Sequence, residues 1–310
     1  MDLKDKKIGV LMGGMSSERE ISLKTGTAIC NALKETGYNV VSIDVGKDIA
    51  KKIADEKIDV AFIALHGKYG EDGTVQGILE IMGIPYTGSG VLGSAVSMNK
   101  VISKELFERH GIPTPTYEVM YKKDYRKGHK FMTGFPLIVK PANGGSTIGV
   151  NVVDNIGILD SAIYDAFKFD DYILIEKFID GIVLTAGVLE DMALPVIEVC
   201  PKKGFYDYES KYTPGMTEYF IPARIDKKKT EECQKLALKC HKVLRCRGIT
   251  RTDMIMDKGQ NIFVLEINTI PGMTATSLIP MAARAAGIEF KALLIKALEM
   301  AVRVWELQHL

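Results

Sequence analysis

Arg251-Thr252-Asp253, followed by Leu265-Glu266-Ile267-Asn268 and Pro271-Gly272-Met273, gathers an arginine, two carboxylates and an amide onto neighbouring apolar segments. Asp253, Glu266 and Asn268 offer hard oxygen donors. Mg²⁺ takes such donors in octahedral geometry, usually one or two carboxylates together with substrate phosphates. The runs Gly248 to Met256 and Ile262 to Ile267 read as strands. Alternation then puts Arg251 and Asp253 on one face of the first, and Glu266 and Asn268 on one face of the second. Asp257-Lys258-Gly259-Gln260 makes the hairpin turn between them. Taken alone, the same residues also fit an ordinary half-exposed hairpin.

A second feature adds weight. Phe135 to Val139 reads as a strand and runs into Lys140-Pro-Ala-Asn-Gly144-Gly145-Ser146-Thr147-Ile148-Gly149-Val150. Glycines let a backbone approach an anion closely, successive N–H groups can point at phosphate oxygens, and Lys140 supplies a point charge beside them. A glycine-rich turn is weak evidence by itself, because glycine marks tight turns everywhere. A phosphate clamp in the same chain as an oxygen-ligand cage is a far more specific combination.

The elements that must position these residues alternate along the chain. Apolar runs and amphipathic stretches at Ile8 to Met12, Ser17 to Thr36, Asn39 to Asp44, Ile49 to Glu56 and Val60 to Leu65 give a βαβαβ rhythm. Ser17-Glu-Arg-Glu20 predicts a capping box at the first helix, directly after the Gly13-Gly14 turn, so the helix start faces the carboxyl ends of the strands. That turn lacks the Gly-x-Gly-x-x-Gly spacing of a dinucleotide site. A helix over Asn99 to His110 stops at Gly111 with Pro113 and Pro115 beyond it. Composition shifts near Gly88-Ser-Gly90, and a domain boundary is expected near residue 96. The polar loop from Lys202 to Thr217 carries four aromatic residues and Gly215. It reads as a lid, with a surface loop packed by its own tyrosines as the plainer alternative.

The 310 residues leave room for two or three domains, and 40 basic against 39 acidic residues give a net charge of +1. Such a balance offers no general field for nucleic acid or anionic membrane, and neither partner is expected. Cys30, Cys200, Cys233, Cys240 and Cys246 lack paired metal-ligand spacing and read as reduced thiols, Cys233 and Cys240 sharing one helix face. No apolar run approaches the ~20 residues of a membrane span, and the first residues lead straight into a strand, so a cytoplasmic protein is expected.

With these segments in view, the chain resembles the D-alanine–D-alanine ligases of the ATP-grasp superfamily. The resemblance is carried by Gly13 to Glu20, Ala64-Leu-His66-Gly67 with Gly70 to Gly73, Met98-Asn-Lys100, Lys140 to Val150, Glu176-Lys177-Phe178, Tyr208 to Tyr212, Arg251 to Asp253 and Glu266 to Thr274, in that order along nearly the whole chain. It implies an α/β (α+β overall) ATP-grasp fold of three domains: a Rossmann-like N-terminal domain on the substrate side over residues 1–96, and two α+β domains gripping the nucleotide over residues 97–180 and 181–310. It implies ATP as phosphoryl donor and D-alanine as substrate. Two Mg²⁺ ions on Asp253, Glu266 and Asn268 follow from it, with Mn²⁺ as a substitute and a monovalent cation needed by some relatives. A homodimer also follows.

The implied reaction runs through an acyl phosphate, formed when one D-alanine carboxylate attacks the γ-phosphate; a second D-alanine amine then attacks the activated carbonyl. The resemblance places Lys100, Lys140, Ser146, Glu176, Lys177, Phe178, Ile179, Lys211 and Leu265 on the nucleotide. It gives Arg251 and the Gly272 N–H the oxyanion, and Ser277 and Lys211 the second carboxylate. Glu18 would meet the first ammonium group, with Ser146 and Tyr212 beside it. An acidic residue in a first helical turn also suits the helix dipole, so Glu18 has a plain structural reading too. His66 takes a supporting place near the substrate, a lone histidine being usually structural. In the family the pair Lys211-Tyr212 goes with dipeptide rather than ester formation.

One segment departs from the pattern. After Asp180-Gly181 the family usually continues Arg-Glu-Phe or Pro-Glu-Phe, the glutamate accepting hydrogen bonds from the ribose hydroxyls, whereas this chain reads Ile182-Val183-Leu184. Losing a hydrogen bond to a charged acceptor costs about 1.5–3 kcal/mol, roughly ten- to a hundredfold in affinity. Weak ATP binding, relaxed nucleotide choice, or rescue by Asp180 or Glu190 are the three outcomes open, and the expectation is a functioning ligase with a raised KM for ATP. Two other readings of the chain stand beside it: a binding protein of ligase fold with impaired turnover, and an ATP-grasp ligase for another amino acid.

Overall fold

The computed structural model describes residues 3–129, 131, 134–145, 148–202, 213 and 215–309. The first unit follows the expected alternation: β1 (Lys7–Gly13), α1 (Arg19–Glu35), β2 (Asn39–Val45), α2 (Ile49–Glu56) and β3 (Val60–Ile63). The three strands are parallel in the order β2-β1-β3, and Tyr86 adds a parallel bridge to Ala61 at the edge. Parallel strands are covered on both faces, which is why Ile8, Val10 and Leu11 are all buried. Ile29 and Leu33 of α1 cover one face, while Ile49 and Ile53 of α2 cover the other.

The capping box expected at Ser17 and Glu20 is not formed. Helix α1 is capped at Glu18 without a side-chain bond, and the hydroxyl in play belongs to Ser16. Ser16 Oγ accepts from the Glu18 N–H at 3.1 Å and donates to the His66 carbonyl at 2.7 Å. The glycine turn thus spends its hydroxyl on tying the helix start to the end of β3.

Next come α3 (Thr74–Ile81), α4 (Val91–Met98) and α5 (Lys100–Arg109). The boundary placed near residue 96 falls inside α4. This helix approaches the backbone of Arg245 so closely that a Cβ on Gly93 would come within 2.6 Å of the Arg245 carbonyl oxygen, and Val96 packs into the core beneath the largest sheet. Composition marks the Gly88-Ser-Gly90 turn, but packing fixes which side α4 joins.

An antiparallel sheet of β4 (Tyr117–Tyr121), β5 (Leu137–Pro141), β6 (Asn151–Val153) and β7 (Tyr172–Lys177), in the order β4-β7-β5-β6, is backed by α6 (Ile156–Ala166). A larger antiparallel sheet holds β8 (Gly181–Leu189), β9 (Met192–Ala193), β10 (Ile197–Pro201), β11 (Thr217–Phe220), β12 (Ile249–Asp257) and β13 (Ile262–Asn268). Its order is β11-β10-β8-β12-β13, with β9 beside β8. Helix α7 (Lys227–Val243) backs it, and Cys233 and Cys240 are buried on one helical face as their spacing expects. After α8 (Leu278–Ala285), helix α9 (Phe290–His309) returns to the first unit, where Leu293, Leu294 and Leu298 share a core with Ile29 and Leu33. Among the described residues no helix is long and apolar enough to cross a membrane.

Candidate active site

A cleft lies between the two antiparallel sheets. Ile138 and Lys140 of β5 and Glu176 of β7 line one wall; Val183 and Thr185 of β8, Val199 of β10, Asp253 and Ile255 of β12, and Leu265 and Glu266 of β13 line the other. Lys177, Phe178 and Ile179 join the walls at one end, and Gly144 and Gly145 reach it from the loop after β5. The cleft therefore collects every described residue expected on the nucleotide: Lys100, Lys140, Glu176, Lys177, Phe178, Ile179 and Leu265.

Behind the first wall sits a lysine that sequence reasoning missed. Lys104 is fully buried and pairs with Glu176, as does Lys140. Burial disfavours the Glu176 charge, yet the two lysines outweigh that and hold its carboxyl below the usual glutamate range. Burial also lowers the Lys104 ammonium to about 8, partly offset by Glu176. The signal was present, since Lys104 stands one helical turn after Lys100 on α5 and so shares its face.

The second wall is made by register. Arg251 lies opposite Asn268 and Asp253 opposite Glu266, which brings the expected cage together on adjacent strands. Between Asp253 and Met254 the register shifts, so that Leu265 is the extra residue of a β-bulge. Strict alternation would have turned Leu265 away from Glu266; the bulge lets both line the cleft. Arg251 grips Asp253 through Nε–Oδ1 at 2.9 Å and Nη2–Oδ2 at 2.8 Å, and the Thr185 hydroxyl donates to Asp253 at 2.7 Å. Lys100 lies 3.6 Å from Glu266, and Asn268 Oδ1 accepts from the Ile270 N–H. Thr185 is a further residue the sequence reading passed over. Two carboxylates on neighbouring strands repel unless cations neutralise them, and Arg251 and Lys100 do so here. The same hard-oxygen set suits Mg²⁺, although among the described residues no three His, Cys, Asp or Glu side chains are grouped so as to hold a metal ion by themselves.

At the edge of the first unit, Glu18 is buried at the start of α1. A Cβ on Gly67 would come within 2.5 Å of Glu18 Oε2, and one on Gly145 within 3.4 Å, so the carboxylate lies between the end of β3 and the glycine-rich loop. His66 Nε2 meets the Thr25 hydroxyl at 3.2 Å. Burial first, then the Arg251 charge, depresses the imidazole to about 4 and keeps it neutral. Glu71, which the sequence reading did not single out, accepts from the Gly67 N–H at 2.6 Å. Burial and the neighbouring Glu18 charge push its carboxyl up to about 8. Gly272 and Ser277 face each other at the turn into α8, where Ser277 Oγ accepts from the Thr274 N–H at 3.1 Å. Ser146, Lys211 and Tyr212 lie outside the described residues, as does most of the loop read as a lid.

Val183 faces Val199 on one side and Ile255 on the other. Of the two proposed substitutes, Asp180 lines the same cleft as Val183 and Glu190 does not. Asp180 pairs with Lys258 at 2.6 Å, and Glu190, seven residues along, pairs with Arg303 of α9.

Two antiparallel sheets closing on such a cleft, with a parallel α/β unit at its mouth, define an ATP-grasp fold. Sequence models of the D-Ala–D-Ala ligase C-terminus and N-terminus match residues 106–299 and residues 7–53 with 47–89, respectively. The D-alanine–D-alanine ligase of Pelotomaculum thermopropionicum is 50% identical over 307 residues, covering 96% of each chain. That of Carboxydothermus hydrogenoformans is 48% identical, covering 94% of this chain and 97% of the relative. Among solved structures, a D-alanine–D-alanine ligase from Bacillus anthracis superposes with a TM-score of 0.87 at 38% identity, covering 98% of this chain and 99% of that one. The complex of the Bacillus anthracis enzyme with ATP gives 0.86 at 36% identity, with the same coverage. The chain belongs to the D-alanine–D-alanine ligase family.

Proposed function

We propose that this protein joins two D-alanine molecules into D-alanyl-D-alanine at the expense of ATP, supplying peptidoglycan synthesis from the cytoplasm as a homodimer. The observation that carries the reading is the meeting of Lys140, Lys100, Asp253 and Glu266 in one cleft, with Glu18 and Arg251 at its mouth. Lys140 and Lys100 hold the phosphates, backed by the Glu176–Lys104 pair, and the segment Lys177 to Ile179 holds the base. Asp253, Glu266 and Asn268 would hold two Mg²⁺ ions, which neutralise charge on the phosphoryl oxygens when bound.

Glu18 orients the first D-alanine by its ammonium group, so that a carboxylate oxygen is aimed at the γ-phosphorus. Bond formation there and cleavage to the β–γ bridging oxygen give the acyl phosphate and ADP. Arg251 and the Gly272 N–H stabilise the oxyanion formed when the second amine attacks, and phosphate then leaves. Ser277 and Lys211 orient the second carboxylate. Ser146 and Tyr212 would complete the substrate side, and the loop from Lys202 to Thr217 would exclude water that would hydrolyse the intermediate. The division into residues 1–96, 97–180 and 181–310 serves the same reading, substrates being held against the first part and nucleotide between the other two.

Phosphate release with Mg²⁺ and ATP, with and without D-alanine, is the test. D-alanine-dependent phosphate accompanied by a dipeptide of the right mass supports the reading. ATP hydrolysis that ignores D-alanine but responds to another amino acid would replace it with a different ligase, and no turnover despite nucleotide binding would replace it with a binding protein.

A further inference from the structure

We infer that the nucleotide site does not read the ribose 2′-hydroxyl, so that 2′-deoxy-ATP serves as a phosphoryl donor nearly as well as ATP. The inference rests on the proposed ATP-dependent ligation and concerns the sugar end of the same cleft.

The wall from β10, β8 and β12 is built in rungs. Asp253 pairs with Thr185 at one rung, and two residues along each strand Ile255 pairs with Val183, which in turn pairs with Val199. Successive same-face rungs on a strand lie roughly 7 Å apart, which sets this strip between the phosphate end at Asp253 and the base end at Phe178 and Ile179. All three side chains of the strip line the cleft, and none carries a polar atom.

Each carboxylate that lines the cleft, Asp180, Glu176, Asp253 and Glu266, has a cation beside it. Asp180 is bound to Lys258, Asp253 is gripped by Arg251 and Thr185, and Glu176 is held by Lys104 and Lys140. A sugar hydroxyl lying on the Val–Val–Ile strip meets no acceptor side chain on that strip, and removing that hydroxyl forfeits nothing there. The transfer itself is unchanged. The D-alanine carboxylate oxygen forms its bond to the γ-phosphorus as the bond to the β–γ oxygen breaks, and 2′-deoxy-ADP leaves in place of ADP.

The test compares ATP with 2′-deoxy-ATP on the full chain, by D-alanine-dependent phosphate release and, without D-alanine, by calorimetric affinity. The expected result is a kcat/KM ratio and an affinity ratio within about threefold of one, against the ~10- to 100-fold preference that a charged acceptor creates. Val183→Glu should split the two nucleotides, lowering KM for ATP about tenfold or more and that for 2′-deoxy-ATP, which keeps only the 3′-hydroxyl, by less. A tenfold or greater preference for ATP in the unaltered protein, in either measurement, overturns the inference. Ligation absent with both nucleotides would count against the ligase reading, while equal affinities would still uphold this one.

Discussion

Arg251 binds both oxygens of Asp253, two residues away on the same strand face, and its charge also acts on Glu71. Arg251→Ala is therefore expected to lower kcat by ~10²–10³, the usual cost of one oxyanion donor. Arg251→Lys should recover little, because an ammonium cannot reproduce the two-toothed grip. Steady-state kinetics of both variants check this. Glu71 makes a second prediction. Its carboxyl is raised from an ordinary 4.5 to about 8, so across that window the folded protein keeps a proton that the unfolded chain has lost. Stability contributed by this group is present at low pH and falls as pH rises towards 8. Glu71→Gln removes the titration and should melt higher than the unaltered protein at pH 8, by ~2–4 °C for each kcal/mol regained, with little difference at pH 5. Thermal melts at the two pH values decide. His66 works in the opposite sense: neutral when folded, it contributes stability that is lost as pH falls from 6.5 towards 4.

Strand β8 is the element on which the site depends most, since it pairs with β10 and β12 and carries Val183 and Thr185 on the cleft face. Its other face buries Leu184 and Ala186 against Met254 and Val264 over α7. Leu184→Ala leaves a cavity at the middle of the sheet and should cost ~2–5 kcal/mol, read from the denaturation midpoint. The bulge at Leu265 is the second element-scale device. By adding one residue to β13 opposite Met254, it turns Leu265 and Glu266 into the cleft together while Val264 stays in the core. Alternation read along the chain does not show it, because a bulge is a property of two paired strands.

Across the whole molecule, the last helix closes on the first unit. Leu294 and Leu298 of α9 lie in one core with Ile8 and Val10 of β1 and Ile29 of α1, so residues far apart in the chain stabilise one another. Leu298→Ala should cost ~2–5 kcal/mol and raise hydrogen exchange in β1 and α1 as well as in α9. Loss confined to α9 would show that the two units are not coupled. Metal removal should act differently: chelation of Mg²⁺ is expected to abolish turnover while leaving the melting temperature of the nucleotide-free protein unchanged, because the cage carboxylates already have Arg251 and Lys100 as partners. Activity and melting measured before and after chelation test this.

The sequence by itself determined what local pattern can determine. The βαβαβ start, the helix over Asn99 to His110, and the two strands that carry Arg251, Asp253, Glu266 and Asn268 follow from periodicity and turn residues. The resemblance drew in most of the cleft residues because their order along the chain is specific. Tertiary structure alone decided the rest. Which strand faces which, and in what register, is set by packing between distant segments; that brought Asp253 opposite Glu266, tied Lys104 to Glu176, and committed Asp180 and Glu190 to Lys258 and Arg303. Ser16 rather than Ser17 serves the start of α1 for the same reason, since its partner is the carbonyl of His66, fifty residues on. A side chain's neighbours along the chain fix its backbone, whereas its charge state and partner depend on what folding buries beside it.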